Sequence, residues 1–353
     1  MRGNLVIIGL LVTSLGAGAD AGRGQQAASG ALDSATRALV IDRALAQLQK
    51  AYIFADAAEK MSVAIRARTA ANEYDAITAG REFADKLTAD LQAVSHDKHL
   101  RIRYAPEGLP LRPEQPDADE RLQALAQDRR RNFGFERVER LDGNVGYIDL
   151  RGFSGSPESR DAAVAAMNFV ADTDALIFDL RRNGGGSPFM IGLLCSYLFD
   201  TVVHLNDFYV RESDSHQQFF TTADVQGRRY GQRKPVFILT SARTFSAAEE
   251  FTYDLKHLKR ASVVGETTGG GAHPGGLRRL TDHFGIWLPT GRAINPVTKT
   301  NWEGTGIEPD IKTAALDALD AAHREALQRL LAAASDPARR EQLQSAIKGL
   351  RKS

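Results

Sequence analysis

Apolar positions along this chain change period, and the changes divide it into segments. From Asp33 to about Ser95 proline is absent and glycine nearly so. There Leu39, Ile41, Leu45, Leu48, Tyr52 and Ile53 recur at helical spacing, as do Phe83, Leu87, Leu91 and Val94. The pattern predicts a helical unit of about three helices, followed by a turn and strand over Asp97–Tyr104. Pro106 to Pro116 is rich in proline and charge and reads as a linker. Beyond Asn132 the pattern alternates. Val145–Leu150, Ala175–Leu180, Pro235–Thr240 and Ala261–Gly265 read as strands, while Asp161–Ala171, Phe189–Leu198 and Ser246 to about Leu258 read as helices. Leu316–Leu350 is Ala- and Leu-rich and helical. The expected organisation is a helical N-terminal domain over 33–105, a linker over 106–132, an α/β core over 133–315 and a helical segment over 316–353.

The first residues have a different character. Arg2 precedes the apolar run Leu5–Leu15, and A-x-A sites follow at Ala17–Ala19 and Ala19–Ala21. This is the layout of an export signal over 1–21, too short for a comfortable membrane span. The expected location is therefore exported, periplasmic or secreted, with no stable span once the signal is removed. Lys plus Arg number 45 and Asp plus Glu 44, so no global field favours nucleic acid. Arg129–Arg131 reads as a solvated helix end, and the single Cys195, inside an apolar helical run, as a core thiol.

Candidate chemistry lies at the turns. Asp179-Leu-Arg-Arg-Asn-Gly-Gly-Gly-Ser187 places three glycines after a strand, where backbone N–H groups can approach a ligand. Neither the spacing of a dinucleotide fingerprint nor the ending of a P-loop is present. Ser246 follows a strand and opens a helix, where the orphan amides and the dipole favour negative charge. That position suits an acyl-transfer nucleophile. It equally suits an N-cap, with Glu249 closing a capping box. A third glycine-rich turn, Gly265-Glu-Thr-Thr-Gly-Gly-Gly-Ala-His-Pro-Gly-Gly276, and the segment Asn301–Asp310 with Glu303 complete the set.

Together, in this order, these segments resemble the S41 family of serine peptidases, which includes carboxyl-terminal processing proteases and the tricorn core. The resemblance spans roughly 33–320 and implies a ClpP/crotonase-like spiral β-β-α core of α/β class, with a small helical N-terminal domain before it. It implies Ser246 as nucleophile. Tail-specific members carry a base lysine in the glycine loop, but here that position reads Gly271, and no lysine lies between Arg260 and Lys299. The tricorn-like branch uses a histidine ahead of the core and a late glutamate, which match His99 of Asp97-Lys98-His99 and Glu303. His99 would then act as general base and Glu303 as orienting carboxylate, with the amides of Gly185 and Ala247 as oxyanion hole. Gly184, Gly186, Gly270, Gly271 and His273 are the expected substrate-binding positions, with His273 an alternative base. Lys98 stands where tricorn-like sites have a relay serine. Fewer than thirty residues separate Tyr104 from Phe133, too few for a PDZ module.

The function expected is hydrolysis of peptides or proteins through an acyl-enzyme, with no cofactor. The histidines show no H-x-x-x-H spacing, so no metal is expected. The alternative is a retinoid- or fatty-acid-type carrier like interphotoreceptor retinoid-binding protein, with Phe189, Met190, Phe219 and Phe220 as candidate pocket residues. An acyl-thioester enzyme of the crotonase type ranks third.

Overall fold

The computed structural model describes residues 32–109 and 118–350, so the expected export signal lies outside the described residues. Three helices come first, α1 (Ser34–Ala51), α2 (Ala55–Ala70) and α3 (Gly80–Ser95). Asp33 opens α1 by accepting the Thr36 N–H at 2.6 Å, satisfying one of the orphan first-turn donors. The helical stripe of Val40, Ile41, Ala44, Leu45 and Leu48 packs with Met61 and Ile65 of α2 and Phe83, Leu87 and Leu91 of α3. Each fully buried large apolar side chain in such a cluster contributes about 1.5–3 kcal/mol.

This unit is not closed on itself. After α3 the chain forms β1 (Arg101–Tyr104), which pairs antiparallel with β10 (Phe284–Pro289), and β10 pairs in turn with β9 (Gly275–Arg279). Phe284, Ile286 and Leu288 of β10 are buried in the same cluster as the three helices. The shared sheet holds the α3–β1 turn, and with it Asp97–His99, against the rest of the protein.

The main sheet has six strands in the order β12-β8-β7-β4-β3-β2. These are β2 (Phe135–Leu141), β3 (Val145–Leu150), β4 (Ala175–Asp179), β7 (Val236–Thr240), β8 (Ser262–Gly265) and β12 (Ile311–Lys312). All neighbours pair in parallel except β2 with β3. Successive residues point to opposite faces. Ile148, Phe178 and Ile238 accordingly meet α5 (Ser159–Val170), α6 (Pro188–Leu198) and α7 (Ala247–His257) through Met167, Leu194 and Phe251. Tyr147, Ile177 and Phe237 meet α8 (Ala318–Ala333) and α9 (Pro337–Gly349) through Ala322, Leu327 and Leu343. Burial on both faces explains why these strands read as continuous apolar runs. A third sheet joins β11 (Gly291–Ile294), β5 (His204–Val210) and β6 (Ser215–Phe220).

The segment expected as linker contains a helix, α4 (Ala118–Arg130). It has no strong apolar stripe, but Arg129 and Arg130 in its last turn complement the helix dipole, so charge placement rather than hydrophobic period supports it. Cys195 is buried in the core, where burial pushes its thiol up. No helix among the described residues is long and apolar enough to cross a membrane.

Candidate active site

The carboxyl ends of β4, β7 and β8 bring the three turns together, as expected for ligand sites in parallel sheets. They are cross-linked by hydrogen bonds. From the β7 turn, Thr244 Oγ1 donates to Leu180 O at 2.8 Å, Ser241 Oγ to Arg181 O at 2.6 Å, and Phe245 N to Asn183 O at 3.1 Å. Gly269 N in turn donates to Thr244 O at 2.9 Å.

Ser246 is the N-cap of α7 and has φ 57° and ψ −123°. A non-glycine residue there costs of order 1–3 kcal/mol and persists only when its surroundings impose it. Glu249 is the main cause. Its fully buried carboxylate accepts the amides of Ser246 at 2.9 Å, Gly270 at 2.7 Å and Gly271 at 2.8 Å, and also the Thr268 hydroxyl. Burial pushes the Glu249 carboxyl up, and these donors pull it back. The capping box expected of Ser246 and Glu249 is thus present, and Glu249 fixes the Ser246 turn to the glycine loop at the same time.

Small neighbours make the turn possible. Gly185 has φ +109°, and a Cβ there would lie 2.8 Å from Ser246 Cβ and 3.0 Å from Ala247 N. Ala247 opens α7, so its N–H has no intrahelical acceptor. The Gly185 amide departs from expectation. It donates to Asn183 Oδ1 at 2.8 Å, because the asparagine side chain folds back two residues along its own turn. One of the two expected oxyanion donors is therefore already committed. Gly184 faces open space, and Gly186 forms a bridge with Phe153.

His99 lies across from this turn, 8% exposed, with its ring 4.6 Å from that of Phe245, the residue before Ser246. A Cβ on Gly271 would come within 2.7 Å of His99 Cε1 and 2.3 Å of Phe245 Cζ. Gly271, where the resemblance would place a base lysine, thus has no room for a side chain, and the imidazole occupies that side of the site. Burial pushes His99 down to about 4, against the opposing pull of Asp97.

Asp97, to which the sequence pattern assigns no role, links the two histidines. One of its oxygens accepts the His99 N–H at 2.9 Å, and the other accepts His273 Nδ1 at 2.9 Å and Tyr52 Oη at 3.2 Å. Burial opposes its ionisation, but the His273 hydrogen bond and the two imidazoles hold its carboxyl below the ordinary value. The short Asp-x-His spacing, typical of an Asx turn, was the available signal. His273 is itself buried, with Nδ1 also 3.5 Å from Glu303 Oε2. Two carboxylates at Nδ1 fix that nitrogen as the protonated one.

Glu303 reaches the same cluster. Gly304 N donates to Gly270 O at 3.1 Å and Trp302 Nε1 to Gly271 O at 2.7 Å, docking its segment on the glycine loop. Burial pushes Glu303 up to about 7, with His273 acting against the shift. Asp97, His99 and Glu303 each offer one atom, and these lie within 4.8 Å of one another. His99 Nδ1 and Glu303 Oε1 are both buried without a partner. Lys98 turns away and donates to Gly269 O. His96 is the left-handed C-cap of α3, a helix-end histidine.

The four apolar residues of the carrier reading are used otherwise. Met190 is buried in the core, Phe219 packs edge-on against Phe208, and Phe220 stacks on His204. Phe189 is 42% exposed, beneath the Arg160 guanidinium.

The family model for peptidase family S41 matches residues 144–313, and that for the N-terminal domain of the family in eukaryotic IRBP matches 31–132. The chloroplastic carboxyl-terminal-processing peptidase 1 of Arabidopsis thaliana is 29% identical over 187 residues, covering 51% of this chain and 36% of the relative. The chain thus spans about a third of the length of the curated relatives it matches. A peptidase structure from Parabacteroides merdae superposes with a TM-score of 0.58 at 18% identity, covering 82% of this chain and 96% of that one. Tricorn protease superposes with a TM-score of 0.50 at 15% identity, over 90% of this chain and 37% of its own. With two adjoining domain models of one family in their expected order on this fold, the chain belongs to peptidase family S41.

Proposed function

We propose that this protein is a serine peptidase that cleaves peptide bonds through an acyl-enzyme on Ser246. The observation that carries the reading is the strained backbone of Ser246 at the start of α7, imposed by Glu249 and accommodated by Gly185. Such strain clusters at functional sites, and a cap alone does not require it. His99 takes the hydroxyl proton as Ser246 Oγ attacks the carbonyl carbon, then delivers it to the leaving amine. Its depressed basicity keeps it neutral and able to accept. Glu303, ionised, stabilises the imidazolium, and Asp97 with His273 holds that carboxylate in place. The Ala247 amide and the positive end of α7 face the developing oxyanion. Water then attacks the acyl-enzyme with His99 again as base.

The substrate is a peptide or unfolded protein in extended form, bound by main-chain hydrogen bonds as an added strand. Residues 1–21 direct the chain to export. The alternative of an apolar carrier draws no support from Phe189, Met190, Phe219 and Phe220, which pack or point separately. The test is casein or short-peptide hydrolysis by wild type and Ser246→Ala. The proposal expects activity in the first and at least a thousandfold loss in the second. Equal rates in the two would overturn it.

A further inference from the structure

The cluster behind His99 has the composition of a metal site, although its residues show no ligand spacing in the sequence. Asp97 and His99 come from the α3–β1 turn and Glu303 from the segment after β11, so only the fold brings them together. We propose that Asp97, His99 and Glu303 form an inhibitory Zn²⁺ site that switches the peptidase off by capturing its base. The inhibitory part rests on the role proposed above for His99.

Three observations support it. The three ligand atoms lie within 4.8 Å of one another. Tetrahedral Zn²⁺ with bonds of about 2.0–2.2 Å needs ligands about 3.4 Å apart, so the trio has to close by roughly 1.4 Å at most. His99 Nδ1 is buried, as is Glu303 Oε1, and neither has a hydrogen-bond partner. A cation bound between them would satisfy both. The carboxylates are already held by outer groups, since His273 Nδ1 bridges Asp97 and Glu303, and Tyr52 donates to Asp97. Metal sites typically orient their ligands in this way. Arg101 lies close enough to His99 to depress its basicity, while the Lys98 ammonium is drawn off to Gly269 O. Two carboxylates offset these charges. The imidazole selects zinc over calcium or magnesium, which prefer oxygen ligands throughout.

The chemistry explains inhibition. A neutral imidazole has one lone pair on nitrogen and one N–H. With Zn²⁺ on Nδ1, the proton moves to Nε2, and that nitrogen can no longer accept the proton of Ser246. No bond other than the coordinate ones forms, and the metal keeps its charge.

The test is calorimetric titration of ZnCl₂ into the full chain carrying Ser246→Ala, which leaves the trio intact and is read without activity. The same titration is run with Glu303→Gln or His99→Gln added, alongside wild-type hydrolysis with zinc and then with EDTA. The proposal expects one site in Ser246→Ala, at least tenfold weaker binding in each double variant, and hydrolysis lost with zinc and restored by EDTA. Absent binding, or binding unchanged by both substitutions, would overturn the zinc site while leaving the peptidase reading intact. Zinc bound at the trio of a protein with no hydrolytic activity would overturn the peptidase reading and the inhibition together. If His99→Gln fails to fold, the isosteric Glu303→Gln decides.

Discussion

Glu249→Gln is the substitution that probes most directly how the Ser246 turn is held. The wild-type carboxylate has two donors on each oxygen. Oε1 accepts from Gly270 N and the Thr268 hydroxyl, and Oε2 from Ser246 N and Gly271 N. Glutamine has the same shape but replaces one oxygen by an NH₂ group; placed on the Oε1 side it can donate to the Thr268 hydroxyl, which leaves the Gly270 N–H facing a donor. An unmet buried donor costs about 1–3 kcal/mol. That is a large share of a net stability of about 5–15 kcal/mol. The loss falls on one structure, since the same side chain ties the Ser246 backbone to the Gly270–Gly271 loop against His99. Urea unfolding followed by circular dichroism should show the stability loss, and peptide hydrolysis should fall by at least tenfold in kcat while the protein remains folded. A variant within about 0.5 kcal/mol of wild type and of normal kcat would refute the reasoning.

Further predictions concern titration. Glu303, at about 7, must be ionised to stabilise imidazolium, so kcat/KM should rise with pH through that value, and Glu303→Gln should flatten this limb and lower the plateau. An unchanged profile in the variant would remove Glu303 from the chemistry. Glu250, wholly buried on α7 beside Asn206, is pushed up by burial to about 8. The folded state therefore keeps a proton that the unfolded chain releases above its ordinary carboxyl range. This contribution is complete at low pH and is lost as pH climbs toward 8. The buried Asp254 carboxyl is pushed up in the same way, partly by Glu250, so the two lose their protons as a pair; between pH 6 and 7 wild type should lose stability more steeply than Glu250→Gln, by up to about 1.4 kcal/mol per pH unit, measured by urea unfolding at each pH. Parallel stability curves would refute it.

How far the sequence determines the site depends on what kind of signal each part carries. Strands β3, β4, β7 and β8 are buried on both faces and stand out as apolar runs, and the turns at their ends fall where the glycines and Ser246 predict. Strands β5 and β6 mix polar and apolar residues, as in Ser215-His-Gln-Gln-Phe-Phe220, and β9 opens with two glycines, so neither period announces them. The sheet that ties the helical unit to the core runs through β9 and β10, and so it leaves no mark in the local pattern either. Ser246, His99 and Glu303 stand out in the sequence only as members of a motif set, and their proposed roles rest on that resemblance. The pairing of Asp97 with His273 spans 176 residues and depends on the β1–β10 register, which local pattern does not encode. Nor does spacing reveal that Asn183 takes the Gly185 amide, since that is a choice of side-chain rotamer.

The central claim is that Ser246 is a nucleophile activated by His99. Its most direct measurement is the rate of covalent labelling by a fluorophosphonate, with the modified residue mapped by peptide mass spectrometry. The account predicts modification at Ser246 alone, none in Ser246→Ala, and labelling slowed at least a hundredfold in folded His99→Gln. Labelling at another residue, or an undiminished rate without the imidazole, would contradict it.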